Sequence, residues 1–155
     1  LFLKSSSGRK RYNVLGAFSV SGTDLITITN DAYINSDTIV ALLVKIKQQH
    51  PDIPLTLVMD NARYQRCIKV MDEAKALDID LLFLPPYSPN LNLIERLWKF
   101  TKKKCLYNEF YETFSEFKEA IDDCLSKVKS IYKDQVKTLL NPKFQLFTKS
   151  ASMPV

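Results

Sequence analysis

Residues 84–98 read LPPYSPNLNLIERLW and join an extended segment to a helix. The prolines in this stretch fix backbone φ angles and restrict the residues before them, so its first half must be extended or turned. Asn90 or Asn92 then offers a side-chain oxygen to cap a helix that ends near Cys105. Helical spacing assigns its buried face to Ile94, Leu97, Trp98 and Thr101. Glu95 is predicted to lie at the border of that face.

The rest of the chain predicts alternating strands and helices. Strands are expected where apolar and polar residues alternate or form short apolar runs, and helices where apolar residues recur every three or four positions. The first predicted elements are a hairpin of Arg9–Val20 and Leu25–Thr29 around the turn Ser21–Thr23, and then a helix capped by Asn35, Ser36 or Asp37. A strand Leu55–Met59, a helix from Tyr64 to about Leu77 and a strand Asp80–Leu84 follow. The last two are the helix after the prolines and a helix from Thr113 to about Val128. This order indicates a single α/β domain.

Two further expectations concern burial and domain limits. The runs Leu55–Met59 and Asp80–Leu84 predict strands buried on both faces. In the helix between them, the predicted apolar side holds Ile68, Met71 and Ala74. The pattern weakens after residue 129, so we expect a domain over 1–129 and a C-terminal tail over 130–155.

Composition narrows the class of protein. The chain has 155 residues, 46% of them hydrophobic and 25% charged, which excludes a disordered chain. No apolar run approaches the roughly 18 residues that a membrane helix needs. The net charge is +5, and the segment Arg96–Lys104 alone carries five basic and no acidic residues. A basic segment of this kind permits a polyanionic partner.

The sequence has three cysteines, an odd number, and no CxxC motif; they are Cys67, Cys105 and Cys124. This pattern argues against a disulfide scaffold and against a zinc site, and it favours a reducing, cytoplasmic location.

Two acidic residues stand where chemistry is expected. Asp60 ends the run Leu55–Met59, and ligands of open α/β sheets gather at the carboxyl ends of strands. Carboxylates that meet in a cleft repel one another unless a cation lies between them, and Mg²⁺ or Mn²⁺ suits such ligands. The alternatives are a turn or cap role for Asp60 and a helical salt bridge from Glu95 to Lys99 or Lys102.

Residues 57–63 (LVMDNAR) and 84–98 together resemble the DDE-type transposases, and most closely the bacterial insertion-sequence branch of the mariner-like superfamily. The spacing of 34 residues between Asp60 and Glu95 agrees with the family pattern. The resemblance covers roughly residues 8–127. It implies an RNase H-like fold with a mixed central sheet flanked by helices. It also implies two Mg²⁺ or Mn²⁺ ions, cleavage and strand transfer at transposon ends, DNA as partner, and a homo-oligomeric synaptic complex.

Carried over residue by residue, the resemblance makes Asp60 the second catalytic acid and Glu95 the third, both as metal ligands. The family's first aspartate lies on the first strand, upstream of the segment that resembles residues 6–12 here. No acidic residue precedes Asp24 in this sequence, and neither Asp24 nor Asp31 matches the family position. We therefore expect the first strand and its aspartate to be missing, and the chain alone to be inactive.

Basic and aromatic residues near the two acids leave alternatives open. The predicted DNA-backbone contacts are Arg63, Arg96, Lys99, Lys102 and Lys103, whereas a solvated helix face is the plainer explanation of such a lysine run. Tyr87 can stack on a base or pack under its loop. Asn92 can cap its helix or orient a metal ligand. The main rival function is a non-catalytic DNA-binding or transposase-assembly remnant that uses the basic helix alone.

Overall fold

The computed structural model describes residues 2–4, 10–20, 24–88, 91–107 and 109–139. Five strands and five helices lie in these ranges. They are β1 Phe2–Lys4, β2 Arg11–Phe18, β3 Leu25–Asn30, α1 Ser36–Gln49, β4 Leu55–Met59, α2 Ile68–Ala76, β5 Ile79–Phe83, α3 Leu93–Cys105, α4 Phe114–Lys129 and α5 Lys133–Leu139. None of these helices is long and apolar enough to cross a membrane.

The strands form two sheets. Strands β1, β2 and β3 are antiparallel neighbours in that order, and Phe18 pairs with Leu25 in the β2–β3 hairpin. The hairpin is therefore confirmed, while its predicted turn at 21–23 lies outside the described residues. Strands β4 and β5 are parallel, with Met59 opposite Phe83. Within the described ranges, no hydrogen-bonded pair of strands joins the two sheets.

Helix α1 starts from a capping box. The Asn35 side chain accepts a hydrogen bond from the Thr38 backbone, and the Thr38 side chain accepts one from the Asn35 backbone. Asn35 is one of the three capping residues predicted. The buried side of α1 holds Ile39, Leu42, Leu43 and Ile46. Helix α1 links β3 to β4 and packs along both strands. The carboxyl ends of β3 and β4 therefore lie at the same edge of the fold.

Helix α2 begins later than predicted, since residues 63–67 form turns and bends. The predicted apolar side was also wrong in part, because Ile68 is 73% exposed and Met71 is 43% exposed. Ala74 is buried as predicted, and Val70 is buried in place of the other two. These two positions, four apart on the helix, share a face that packs against α1 and β5.

The prediction that β4 and β5 are buried on both faces was wrong. Val58 and Leu82 lie opposite each other in the register and are 42% and 54% exposed. Successive side chains of a strand point to opposite faces, and the helices α1 and α2 cover only one face of this sheet. The apolar composition of the two runs does not indicate that one face of this sheet has no helix packed against it.

A second core lies on the other side of the β2–β3 hairpin. Here α3, α4 and α5 pack against Tyr12, Val14 and Leu25. Gly16 lets α3 approach closely, because a Cβ at this position would lie 3.0 Å from the Trp98 ring. Helix α5 was not predicted, although its Val136 is buried in this core.

Cys105 and Cys124 form a disulfide that joins α3 to α4. The cysteine pattern, which argued against a disulfide scaffold, did not predict this pair, and Cys67 is free. Spacing rules consider neighbours in sequence, but this pair meets only because α3 and α4 pack together.

Candidate active site

Asp60 directly follows β4 and is half-buried at the edge where β4 ends. The Leu84 backbone N–H donates to the Met59 carbonyl at 2.8 Å, which extends the β4–β5 pairing by one residue. The proline-rich loop therefore begins beside Asp60. Asp60 itself lies at the carboxyl end of a strand, as the sequence predicted.

Asn92 connects Asp60 to α3. Its side-chain Nδ2 donates to Asp60 Oδ1 at 2.8 Å, and its Oδ1 accepts from the Ile94 backbone at 3.3 Å. The predicted cap at Asn92 is therefore confirmed, and the same side-chain amide also holds the Asp60 carboxylate. The Asn92 carbonyl also accepts from the Glu95 backbone at 3.1 Å, which places Glu95 in the first turn of α3.

Glu95 is the third helical residue of α3, where a glutamate ordinarily closes a capping box. Glu116 does this in α4, accepting from the Thr113 backbone at 3.0 Å. Glu95 forms no such bond to Asn92, and it makes no ion pair with Lys99 or Lys102. Its half-buried carboxylate is therefore left for another partner.

The residues after Asp60 form a compact turn. Arg66 Nη1 donates to Asn61 Oδ1 at 2.8 Å, and the guanidinium lies over the Phe83 ring. Partial burial, and then the charge of Asp60, raise the pKa of the Tyr64 hydroxyl. Arg63 is exposed and makes no ion pair with Asp60. Sequence reasoning did not single out Arg66, because only the turn brings it back to Asn61.

An open pocket adjoins Asp60. Its lining consists of Asp60, Asn61, Pro85, Pro86, Tyr87 and Ser88. The Tyr87 side chain is fully exposed at this rim, so the interpretation that it packs under the loop was wrong.

The residues at this edge fit part of a metal site. Asp60 and Glu95 supply carboxylate oxygens, which hard divalent cations prefer. The described residues contain no cluster of three or more His, Cys, Asp or Glu side chains suited to a metal. The structure therefore connects Asp60, through Asn92, to the start of the helix that carries Glu95.

The basic residues of α3 differ in their surroundings. Lys99 and Lys103, four apart, are exposed, whereas Arg96 and Lys102 are half-buried. Lys104 lies over the Phe100 ring of α3 and over the ring of Tyr132, which precedes α5, at 5.8 and 5.5 Å.

Comparison with known proteins identifies the family. The sequence profile described as DDE superfamily endonuclease matches residues 2–118. The chain belongs to this family. No curated protein sequence matches this DDE endonuclease chain.

Solved structures share its fold at low sequence identity. A Mos1 transposase catalytic domain with raltegravir and Mg matches with a TM-score of 0.68 and 15% identity, covering 90% of this chain and 74% of that one. The Mos1 strand transfer complex matches with a TM-score of 0.68 and 14% identity, covering 89% and 41%. A simian T-cell lymphotropic virus intasome, in complex with the PP2A regulatory subunit B56 gamma, gives a TM-score of 0.62 and 14% identity over 100% and 57%. The predicted RNase H-like α/β fold is confirmed. In place of one mixed central sheet, however, the described residues form one antiparallel and one parallel sheet.

Proposed function

We propose that this DDE endonuclease domain cleaves DNA strands and joins them to new sites during transposition. The observation that carries the proposal is the link through Asn92. This residue holds the Asp60 carboxylate and begins the helix on which Glu95 stands. Glu95 remains outside the capping box that its position would allow, which is consistent with a carboxylate kept for a metal ion.

In this proposal, Asp60 and Glu95 would hold the Mg²⁺ or Mn²⁺ ions that the cleavage of a phosphodiester needs. Two such ions can activate a water oxygen and neutralise the leaving oxygen. Water loses a proton and attacks phosphorus, the bond from phosphorus to the 3′ oxygen breaks, and that oxygen takes a proton to become a 3′-hydroxyl. In strand transfer, the 3′-hydroxyl attacks a target phosphodiester, so one phosphodiester bond forms as another breaks.

The third carboxylate is proposed to come from residues outside this sequence. No aspartate or glutamate precedes Asp24, and Asp31 is instead paired with Lys118 at 2.9 Å. The two-carboxylate chain is therefore expected to bind metal weakly and to need an upstream extension for cleavage.

Cations on α3 and beside Asp60 are proposed to contact the DNA backbone. On α3, Lys99 and Lys103 are exposed, whereas Arg96 and Lys102 are half-buried. Arg63, three residues after Asp60, is also exposed. Contacts of this kind provide salt-dependent affinity without sequence readout. We also propose that two or more copies assemble around paired transposon ends.

A supercoiled-plasmid nicking assay with Mn²⁺ tests the proposal. It is run on this chain and on the chain extended upstream to include an aspartate on a strand-like segment. We expect nicking by the extended chain, and a loss of at least 100-fold in Asp60→Asn and in Glu95→Gln, since each removes a metal ligand.

Glu116→Gln is the matched control, because it makes the same change at the same helical position in α4. It should retain nicking. Loss of nicking in all three variants would indicate a folding effect, and absence of nicking in both chain lengths would favour the non-catalytic DNA-binding remnant.

A further inference from the structure

Tyr87 is a large aromatic residue that is held away from any core. Its side chain is fully exposed, and it lines the same open pocket as Asp60. Exposed aromatic rings next to a nucleic-acid site commonly serve as stacking platforms for bases.

The backbone at Tyr87 is in a conformation that tyrosine rarely adopts. Its φ is 60°, and it follows Pro86 in a turn. A positive φ after proline is what the third position of a type II turn requires, and glycine or asparagine ordinarily fills it. Strained residues of this kind persist at functional sites, where the surroundings hold them. The ring is therefore retained despite a conformational cost.

The loop that carries Tyr87 is fastened to Asp60 from both sides. On one side, Leu84 bonds to the Met59 carbonyl at 2.8 Å. On the other, Asn92 holds the Asp60 carboxylate at 2.8 Å. Pro85 and Pro86 restrict the chain between these points. The backbone at Pro85 and Pro86, which leads to Tyr87, is therefore restricted next to the end of β4.

We propose that Tyr87 stacks on an unpaired nucleobase next to the phosphate bound at Asp60. Two cations lie in the turn that follows Asp60, since Arg66 donates to Asn61 of the pocket lining and Arg63 is exposed. Stacking is tolerant of sequence because every base presents a π-face. This inference rests on the proposed function for the position of the phosphate, but base stacking itself needs no cleavage.

The test is photocrosslinking of the full chain to a forked DNA duplex. The fork carries 5-iodouracil in its single-stranded arm, which crosslinks to aromatic rings stacked against it, and mass spectrometry locates the crosslink. We expect a crosslink at Tyr87 that survives in Tyr87→Phe and is lost in Tyr87→Ala. The affinity of Tyr87→Ala for the fork should fall about 5- to 150-fold, while its affinity for blunt duplex stays the same.

Two further variants separate stacking from loop structure. Tyr87→Gly suits a positive φ, so it should raise the thermal midpoint and still lose the crosslink. Tyr107→Ala removes another exposed tyrosine, which is 62% exposed and lies two residues after the end of α3, and should keep both crosslink and affinity.

Absence of the Tyr87 crosslink would overturn the inference, and so would equal fork affinity of Tyr87→Ala and the unmodified chain. If nicking depends on Asp60 but the crosslink is absent, only the stacking site is wrong. If the crosslink forms but the extended chain never nicks DNA, the stacking site stands and the proposed function fails.

Discussion

The side-chain amide of Asn92 donates a hydrogen bond to the Asp60 carboxylate at 2.8 Å, across 32 residues of sequence. The same amide caps α3 through Ile94. Because Glu95 lies in the first turn of α3, this hydrogen bond connects the segment of one acid to the helix of the other. In the proposed function Asp60 is a metal ligand, and groups that orient metal ligands in this way strongly affect metal affinity.

Asn92→Ser should separate capping from carboxylate orientation. Serine caps helices about as well as asparagine, but its shorter side chain cannot reach Asp60. We expect Mn²⁺ affinity, measured by electron paramagnetic resonance titration, to fall about 10- to 100-fold. Asn35→Ser makes the same change at the α1 cap and should leave Mn²⁺ affinity unchanged. Equal losses in both variants would contradict an orienting role.

Gly16→Ala should destabilise the fold by about 1–3 kcal/mol, because the added methyl group would lie 3.0 Å from the Trp98 ring. Urea unfolding followed by circular dichroism measures the change. Trp98→Phe creates space at the contact, so the double variant should recover part of the loss that Gly16→Ala causes. Strictly additive effects of the two substitutions would show that the residues do not contact each other.

Tyr12→Phe should lower the free energy of unfolding at neutral pH, and less so at alkaline pH. Burial and the Asp122 carboxylate raise the Tyr12 pKa from its ordinary value of 10.0, and the hydroxyl donates to Asp122 at 2.8 Å. A raised folded-state pKa stabilises the fold below pH 10, and this contribution is lost as the pH rises through the folded-state value. The variant should lose about 1 kcal/mol at pH 7.

The difference between Tyr12→Phe and the unmodified protein should shrink above pH 10, as measured by urea unfolding at each pH. A difference that stays constant to alkaline pH would mean that Tyr12 does not titrate with folding.

The disulfide predicts a thiol count. Unreduced protein in denaturant should show one reactive thiol per chain, from Cys67, and three after reduction. Reduction should lower the free energy of unfolding by about 3 kcal/mol, since the bond closes a loop of moderate length. Three thiols before reduction would contradict the pairing of Cys105 with Cys124.

Local sequence patterns predicted much of what positions the site. The β4 run, the Asn92 cap and the α3 face with Leu97 and Trp98 depend on short-range periodicity and capping, and the structure confirms them. The first turn of α3 shows the limit of such rules. The Glu95 position alone predicts a capping box, and only the fold brings the start of its helix to Asp60 through Asn92.

Other features depend on distant contacts. The exposed face at Val58 and Leu82, the burial of Val136 and the meeting of Cys105 with Cys124 follow from which helices cover which sheet. Tyr87 is similar, because its sequence allowed either stacking or packing, and only the fold shows the ring in solvent.

Iron-mediated cleavage of the protein backbone tests most directly whether Asp60 and Glu95 share a metal site. Fe²⁺ bound in place of Mg²⁺, with ascorbate and peroxide, generates radicals that cut the chain near the metal. We predict cuts near residues 59–61 and near residues 92–96, with both sets suppressed by excess Mn²⁺ and by Asp60→Asn. Cuts at only one of these segments, or cuts that persist in Asp60→Asn, would contradict a shared metal site.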